Sequence, residues 1–143
     1  MKVFLNQIPE KGLALDQSIS AWDLDLPEDV FCCLGPLTLE GVLQHVGDEI
    51  LANVAVSGRY RFSCVRCLKE YEIEKVDRFE LVFDVDSETA SIDLAESLRD
   101  ELIISASVNP CCRSGCRGIC AGCGADLNTE QCRCNNVNQT HSL

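Results

Sequence analysis

Seven cysteines fall within the 24 residues from Cys111 to Cys134, and no other stretch constrains the chain as tightly. Ile119 and Leu127 are the only large apolar side chains there, too few to bury a core. A segment that cannot offset its ordering entropy by burial needs a staple, either disulfides or a metal. The spacing favours metal. In Cys120-x-x-Cys123-Gly124 two thiolates three residues apart reach one ion across a tight turn, and the following glycine lets the backbone reverse.

A secreted disulfide scaffold is the rival class, because 11 cysteines in 143 residues is a high density. Three features oppose it. The number is odd, the cysteines come in closely spaced pairs, and Met1–Leu5 runs straight into Asn6-Gln7, too short for a signal-peptide apolar region. No apolar run approaches the roughly 18 residues of a membrane span. The expected setting is the reducing cytoplasm, where thiols bind metal more often than each other. An apolar content of 46% at this length fits one modest core.

A net charge of −11 argues against non-specific binding to nucleic acid or to an anionic membrane. The charge is uneven, however. Arg59, Arg61, Arg66 and Lys69 occur with no carboxylate between Ser57 and Lys69, and Arg113, Arg117 and Arg133 face only Asp126 and Glu130 in the cysteine stretch. The main cysteine-bearing regions are the least acidic part of the chain.

Along the chain, Val3/Leu5, Leu13/Leu15 and Trp22/Leu24/Leu26 alternate as short strands, with Trp22 expected as a core or edge anchor. Cys32 and Cys33 are expected as small buried hydrophobes, and His45 as structural. Leu37, Leu39, Gly41 and Leu43 share one face of a strand. Beyond a turn at Gly47-Asp48, Val54, Val56, Gly58, Tyr60, Phe62 and Cys64 keep one parity, which predicts a long half-buried strand. Tyr71, Ile73, Phe79, Leu81 and Phe83 resume the alternation, so Cys64-Val-Arg-Cys67 falls at a hairpin tip. Asp93 followed by Glu96 reads as a helix start, and Leu94, Leu98 and Leu102 predict about three turns with one buried stripe. Residues 135–143, including His141, read as a polar tail.

Four cysteine groups need ligand sets: Cys64/Cys67, Cys112/Cys116 (or Cys111), Cys120/Cys123 and Cys132/Cys134. A structural zinc takes four ligands tetrahedrally, so the groups can close two sites. The most local pairing joins Cys120/Cys123 to Cys132/Cys134, leaving Cys112 and Cys116 to meet Cys64 and Cys67. A single ribbon joining Cys64/Cys67 to Cys120/Cys123 is the competing assignment. An iron–sulfur cluster uses the same four thiolates. Redox catalysis by a CxxC needs a helix N-terminus, whereas residues 68–83 alternate like a strand. The arginines either offset the charge of the metal sites or form a basic patch for RNA phosphates. No catalytic grouping and no phosphate-cradling loop emerge, so the chain reads as a non-enzyme.

Cys64-Val-Arg-Cys67-Leu68 after Val56-Ser-Gly58, the Ile92-Asp93-Leu94 helix opening, and Cys116-Arg-Gly-Ile-Cys120-Ala-Gly-Cys123-Gly-Ala-Asp-Leu127-Asn128 with Cys132-x-Cys134 together resemble the YceD family, the large-ribosomal-RNA-subunit accumulation proteins. The resemblance covers essentially the whole chain; the doubled Cys111-Cys112 and Ile119 in place of leucine depart from the usual pattern. It implies a cytoplasmic bacterial protein, with plastid relatives, needed for accumulation or processing of large-subunit ribosomal RNA. It also implies that the hairpin CxRC is typical and that the tail cysteines are an addition.

These readings converge on an α+β fold: an antiparallel β-sheet with one packed helix over residues 1–110, a cysteine-rich zinc-ordered C-terminal lobe over 111–134, and a flexible tail over 135–143. The expected cofactor is one or two zinc ions held by Cys64, Cys67, Cys112, Cys116, Cys120, Cys123, Cys132 and Cys134. The expected partner is large-subunit ribosomal RNA or a pre-ribosomal particle, met directly or through an assembly protein. A zinc-stabilised adaptor without RNA contact and a thiol redox sensor are the alternatives.

Overall fold

The computed structural model describes residues 1–106 and 109–134, so the expected tail at 135–143 lies outside the described residues. Two compact units divide the chain. One comprises Met1–Arg61 and Ile73–Ala106, the other Phe62–Glu72 and the segment from Ser107 onward. The second unit thus takes eleven residues from mid-chain as well as the cysteine-rich stretch beyond residue 110.

The first unit is built on β4 (Leu37–Val46) and β5 (Glu49–Ser63), joined by a turn in which Gly47 takes a left-handed φ of 63°. Period-two alternation gives each strand a buried face. Leu37, Leu39 and Leu43 fill it on β4, and Ile50, Ala52, Val54, Val56 and Tyr60 on β5. β2 (Leu13–Ile19) pairs antiparallel with β4, β3 (Cys32–Cys33) pairs with β5 at Arg61 and Tyr60, and β6 (Glu70–Asp84) also pairs with β5. Gly41, opposite Val54, leaves no room for a side chain; a Cβ there would lie 2.3 Å from the Asn53 carbonyl oxygen.

A separate two-stranded sheet pairs β1 (Lys2–Phe4) with β7 (Ser91–Asp93) and leads directly into α1 (Leu94–Ser105). The Asp93 carboxylate accepts the Ala95 N–H at 3.0 Å, satisfying one of the donors a helix start leaves open. Leu94, Leu98 and Leu102 are fully buried, as their spacing of four predicts. No helix among the described residues is long and apolar enough to cross a membrane.

Two expectations fail. Trp22–Leu26 is a run of turns, not a strand, because Ser20 and Asp23 offer the backbone a local alternative. The Ser20 hydroxyl donates to the Asp23 carboxylate at 2.7 Å and accepts the Asp23 N–H at 3.1 Å. Leu24 and Leu26 still reach the core, but Trp22 is 85% exposed and anchors nothing. Cys32 is exposed and Cys33 half-buried, because the two side chains leave opposite faces of an edge strand. His45 is exposed on β4.

Trp22 is the single tryptophan, so its exposure is directly measurable. Its native fluorescence is expected to match indole in water and to be quenched by acrylamide as fully as in denaturant. A blue-shifted, protected emission would contradict the turn.

Candidate metal centres

The structure gathers the eight sequence-expected cysteines into two groups. Cys64, Cys67, Cys112 and Cys116 form one, and Cys120, Cys123, Cys132 and Cys134 the other; within each group every sulfur lies within 4.8 Å of the others. The hairpin tip supplies the first pair, where the chain leaves β5 and enters β6. Cys64 Sγ is 3.8 Å from Cys116 Sγ, and Cys67 Sγ is 3.8 Å from Cys112 Sγ. In the second group Cys120 Sγ is 3.4 Å from Cys132 Sγ and 3.5 Å from Cys134 Sγ. Four sulfurs around a zinc at about 2.3 Å stand roughly 3.8 Å apart, so both groups fit a tetrahedral ion with little movement. Cys112 rather than Cys111 completes the first group, with Cys111 half-buried beside it.

The two CxxC turns share one backbone design. Cys64 N–H donates to the Lys69 carbonyl at 2.9 Å and Leu68 N–H to the Cys64 carbonyl at 2.8 Å; Cys120 N–H donates to Ala125 and Gly124 N–H to Cys120, both at 2.9 Å. The residue after each second cysteine is left-handed, Leu68 at φ 60° and Gly124 at φ 72°. Glycine adopts that φ freely, whereas a leucine is disfavoured by about 1–2 kcal/mol. Leu68 is nonetheless 68% exposed and gains little by burial.

Each turn aims N–H groups at its first sulfur. The N–H groups of Cys112, Cys67 and Arg66 hold the Cys64 thiol at about 6, and those of Cys123 and Gly122, aided by the Cys132 and Cys134 thiols, hold Cys120 at about 6. One thiol in each group strongly resists ionisation. Burial and then the neighbouring sulfurs push Cys112 up to about 12, and the Cys120, Cys132 and Cys123 sulfurs push Cys134 to about 12. Four crowded sulfurs all become thiolates only around a cation.

A strut unforeseen from the sequence links the two groups. Ile119 and Asp126 form an isolated antiparallel bridge, Ile119 N–H donates to the Arg66 carbonyl, and Leu127 N–H donates to the Gly118 carbonyl. Gly118 is left-handed at φ 76°, and a Cβ there would lie 3.0 Å from the Arg66 carbonyl oxygen. Asn128 saturates its amide within this strut. Its Oδ1 accepts Arg113 Nη2 and Arg117 N–H, both at 2.9 Å, while its Nδ2 donates to Asp126 Oδ1 at 2.8 Å and to Cys116 Sγ at 3.5 Å. The Lys69 ammonium, followed by the Asn128 N–H and amide, holds the Asp126 carboxyl down at about 2.

The cations divide by occupation. Lys69 is paired with Asp126 and Arg133 with Glu130. Arg66 donates to the Cys116 carbonyl at 3.1 Å and Arg113 to Asn128; among the described residues no carboxylate lies within ion-pair reach of Arg66, Arg113 or Arg117. Arg59 and Arg61 fall in the other compact unit.

The family model described as large ribosomal RNA subunit accumulation protein YceD matches residues 80–142. A chloroplastic protein of Arabidopsis thaliana, named large ribosomal RNA subunit accumulation protein YCED homolog 1, is 36% identical over 47 residues, covering 33% of this chain and 15% of that protein. An uncharacterized protein of Mycobacterium leprae is 27% identical over 110 residues, covering 66% of this chain and 51% of that one. The chain therefore spans about half or less of these curated relatives. No solved structure matches. The family match takes in α1 and six of the eight clustered cysteines, and over this stretch the chain is similar to the YceD family.

Proposed function

We propose that the protein is a non-enzymatic, zinc-ordered factor of ribosome biogenesis, acting in the cytoplasm to support accumulation or processing of large-subunit ribosomal RNA. One observation carries the reading: the stretch matched by the family supplies six of the eight cysteines that form two four-sulfur groups. A four-thiolate zinc has no coordination position left for water or substrate, so the ion supplies order, not chemistry. Cys64, Cys67, Cys112 and Cys116 would hold one zinc, and Cys120, Cys123, Cys132 and Cys134 the other.

Charge limits how such a factor meets RNA. The unit holding both cysteine groups has five cations against four carboxylates, and the other has nineteen carboxylates against seven cations. Two zinc–tetrathiolate sites add about −2 each. Contact with RNA is therefore focal, made by individual arginines, not by a broad positive field. The strongly acidic unit favours a second reading, a zinc-stabilised adaptor that docks a basic assembly protein without touching RNA.

The test is the ratio of large- to small-subunit ribosomal RNA in cells lacking the chain, complemented with wild type or with Cys64→Ser. A deficit restored by wild type and not by the variant is expected. An unchanged ratio in cells lacking the chain would overturn the reading. Ultraviolet crosslinking in the same cells separates direct RNA contact from the adaptor, which would instead give salt-insensitive capture of one protein.

A further inference from the structure

The two CxxC turns form an internal comparison. Their hydrogen bonds and left-handed residue coincide, yet the second is built from Ala121, Gly122 and Gly124, and the first from Val65, Arg66 and Leu68. Gly124 shows what the turn itself requires. Leu68 holds the same conformation against its steric preference, with its side chain 68% exposed and Val65 beside it 48% exposed. Neither packing nor the turn accounts for two apolar prongs facing water.

The surroundings indicate what covers them. Val65 N–H donates to the Pro110 carbonyl, which places the prong at the start of the segment carrying Cys112 and Arg113. Ile119 N–H donates to the Arg66 carbonyl, which places Arg117 two residues from that contact. Arg66, Arg113 and Arg117 thus share one neighbourhood with the prongs, and none meets a carboxylate among the described residues. Apolar tips on a turn that carries one arginine, and whose hydrogen-bonded neighbours lead into two more, suit a ligand that is flat and apolar in one part and anionic in the next.

We infer that Val65 and Leu68 dock an unpaired nucleobase of single-stranded RNA, with Arg66, Arg113 and Arg117 taking the flanking phosphates. A base face is available only when unstacked, so loops and single-stranded precursor segments bind and a perfect duplex does not. This assignment rests on the ribosomal-RNA reading and names how that RNA is held.

The test titrates the full zinc-loaded chain with a fluorescent single-stranded oligoribonucleotide and with its duplex, across a series of salt concentrations. Leu68→Gly is the informative variant, because glycine suits the turn. It is expected to keep its zinc content and its thermal midpoint, or to raise the latter, while its affinity for the single strand falls about tenfold. Arg117→Ala is expected to lower affinity and to reduce the salt slope by about one. Equal RNA binding by wild type and Leu68→Gly, or no preference for the single strand, would overturn the inference. So would loss of salt-insensitive capture of a protein by Leu68→Gly with RNA affinity intact. The broader proposal fails on a different readout, the cellular ribosomal RNA ratio.

Discussion

Chelating the metal under reducing conditions will unfold the cysteine-bearing unit and leave the sheet-and-helix unit folded. The buried apolar residues explain the contrast. The first unit encloses Leu37, Leu39, Leu43, Ile50, Val56, Leu94, Leu98 and Leu102 without involving a metal. Among described residues of the second, the buried apolar set is Cys64, Cys67, Cys116 and Ala125, with Tyr71, Cys111, Cys112 and Ile119 only partly covered against the cysteines. Its core is largely its ligand set. Structural zinc in comparable small modules contributes on the order of 10–16 kcal/mol, far above what a few half-buried side chains supply. Hydrogen exchange and limited proteolysis should show residues 62–72 and 109–134 losing protection while β4, β5 and α1 keep theirs. Freshly purified protein should carry two zinc equivalents, falling to one in Cys64→Ser and in Cys123→Ser. Unchanged protease resistance beyond Pro110 after chelation would refute the metal-ordered unit, and one equivalent lost entirely in either variant would restore the single-ribbon assignment.

What the sequence made legible follows from where the information is local. Cysteine spacing is local, and so is the alternation leading into Cys64; together they placed a CxxC at a hairpin tip, which the structure brings beside Cys112 and Cys116. The leucines at 94, 98 and 102 were readable for the same reason, since a period of 3.6 defines its own buried stripe. Trp22 was misplaced because hydrophobicity ranks a tryptophan inward, while the Ser20–Asp23 hydrogen bonds decide the backbone first. Leu68 carries no signal of its left-handed φ, which shows only when its turn is laid beside that of Gly124. Asn128 was legible only as part of a connecting loop. Its four side-chain contacts reach 2, 11, 12 and 15 residues away, and three of them exist only once the cysteine groups have closed.

That dependence makes Asn128→Asp a disruptive change for the first cysteine group without touching a cysteine. The substitution keeps the size and leaves an oxygen for Arg113 and for the Arg117 N–H. It replaces the amide donor with a second acceptor, facing Asp126 Oδ1 and Cys116 Sγ where Asn128 now donates at 2.8 and 3.5 Å. A carboxylate there meets another carboxylate and the sulfur of a proposed metal ligand, so the loss exceeds that of two neutral hydrogen bonds at roughly 1 kcal/mol each. Asn128→Ala removes donors and acceptors together and leaves the Arg117 N–H in need of a partner, which is milder because water can enter at an exposed position. Outer-shell partners of metal ligands typically govern affinity by about 10–100-fold. In competition with a chromogenic chelator, Asn128→Asp should release one zinc at least tenfold more readily than wild type, with Asn128→Ala in between. The second zinc should be weakened less, because Asn128 contacts no sulfur of the Cys120–Cys134 group directly. The order is diagnostic. If the aspartate variant held zinc as tightly as wild type, the amide would be a bystander, and the coupling of the two groups would rest on the Ile119–Asp126 bridge, the backbone hydrogen bonds beside it and the Lys69–Asp126 ion pair.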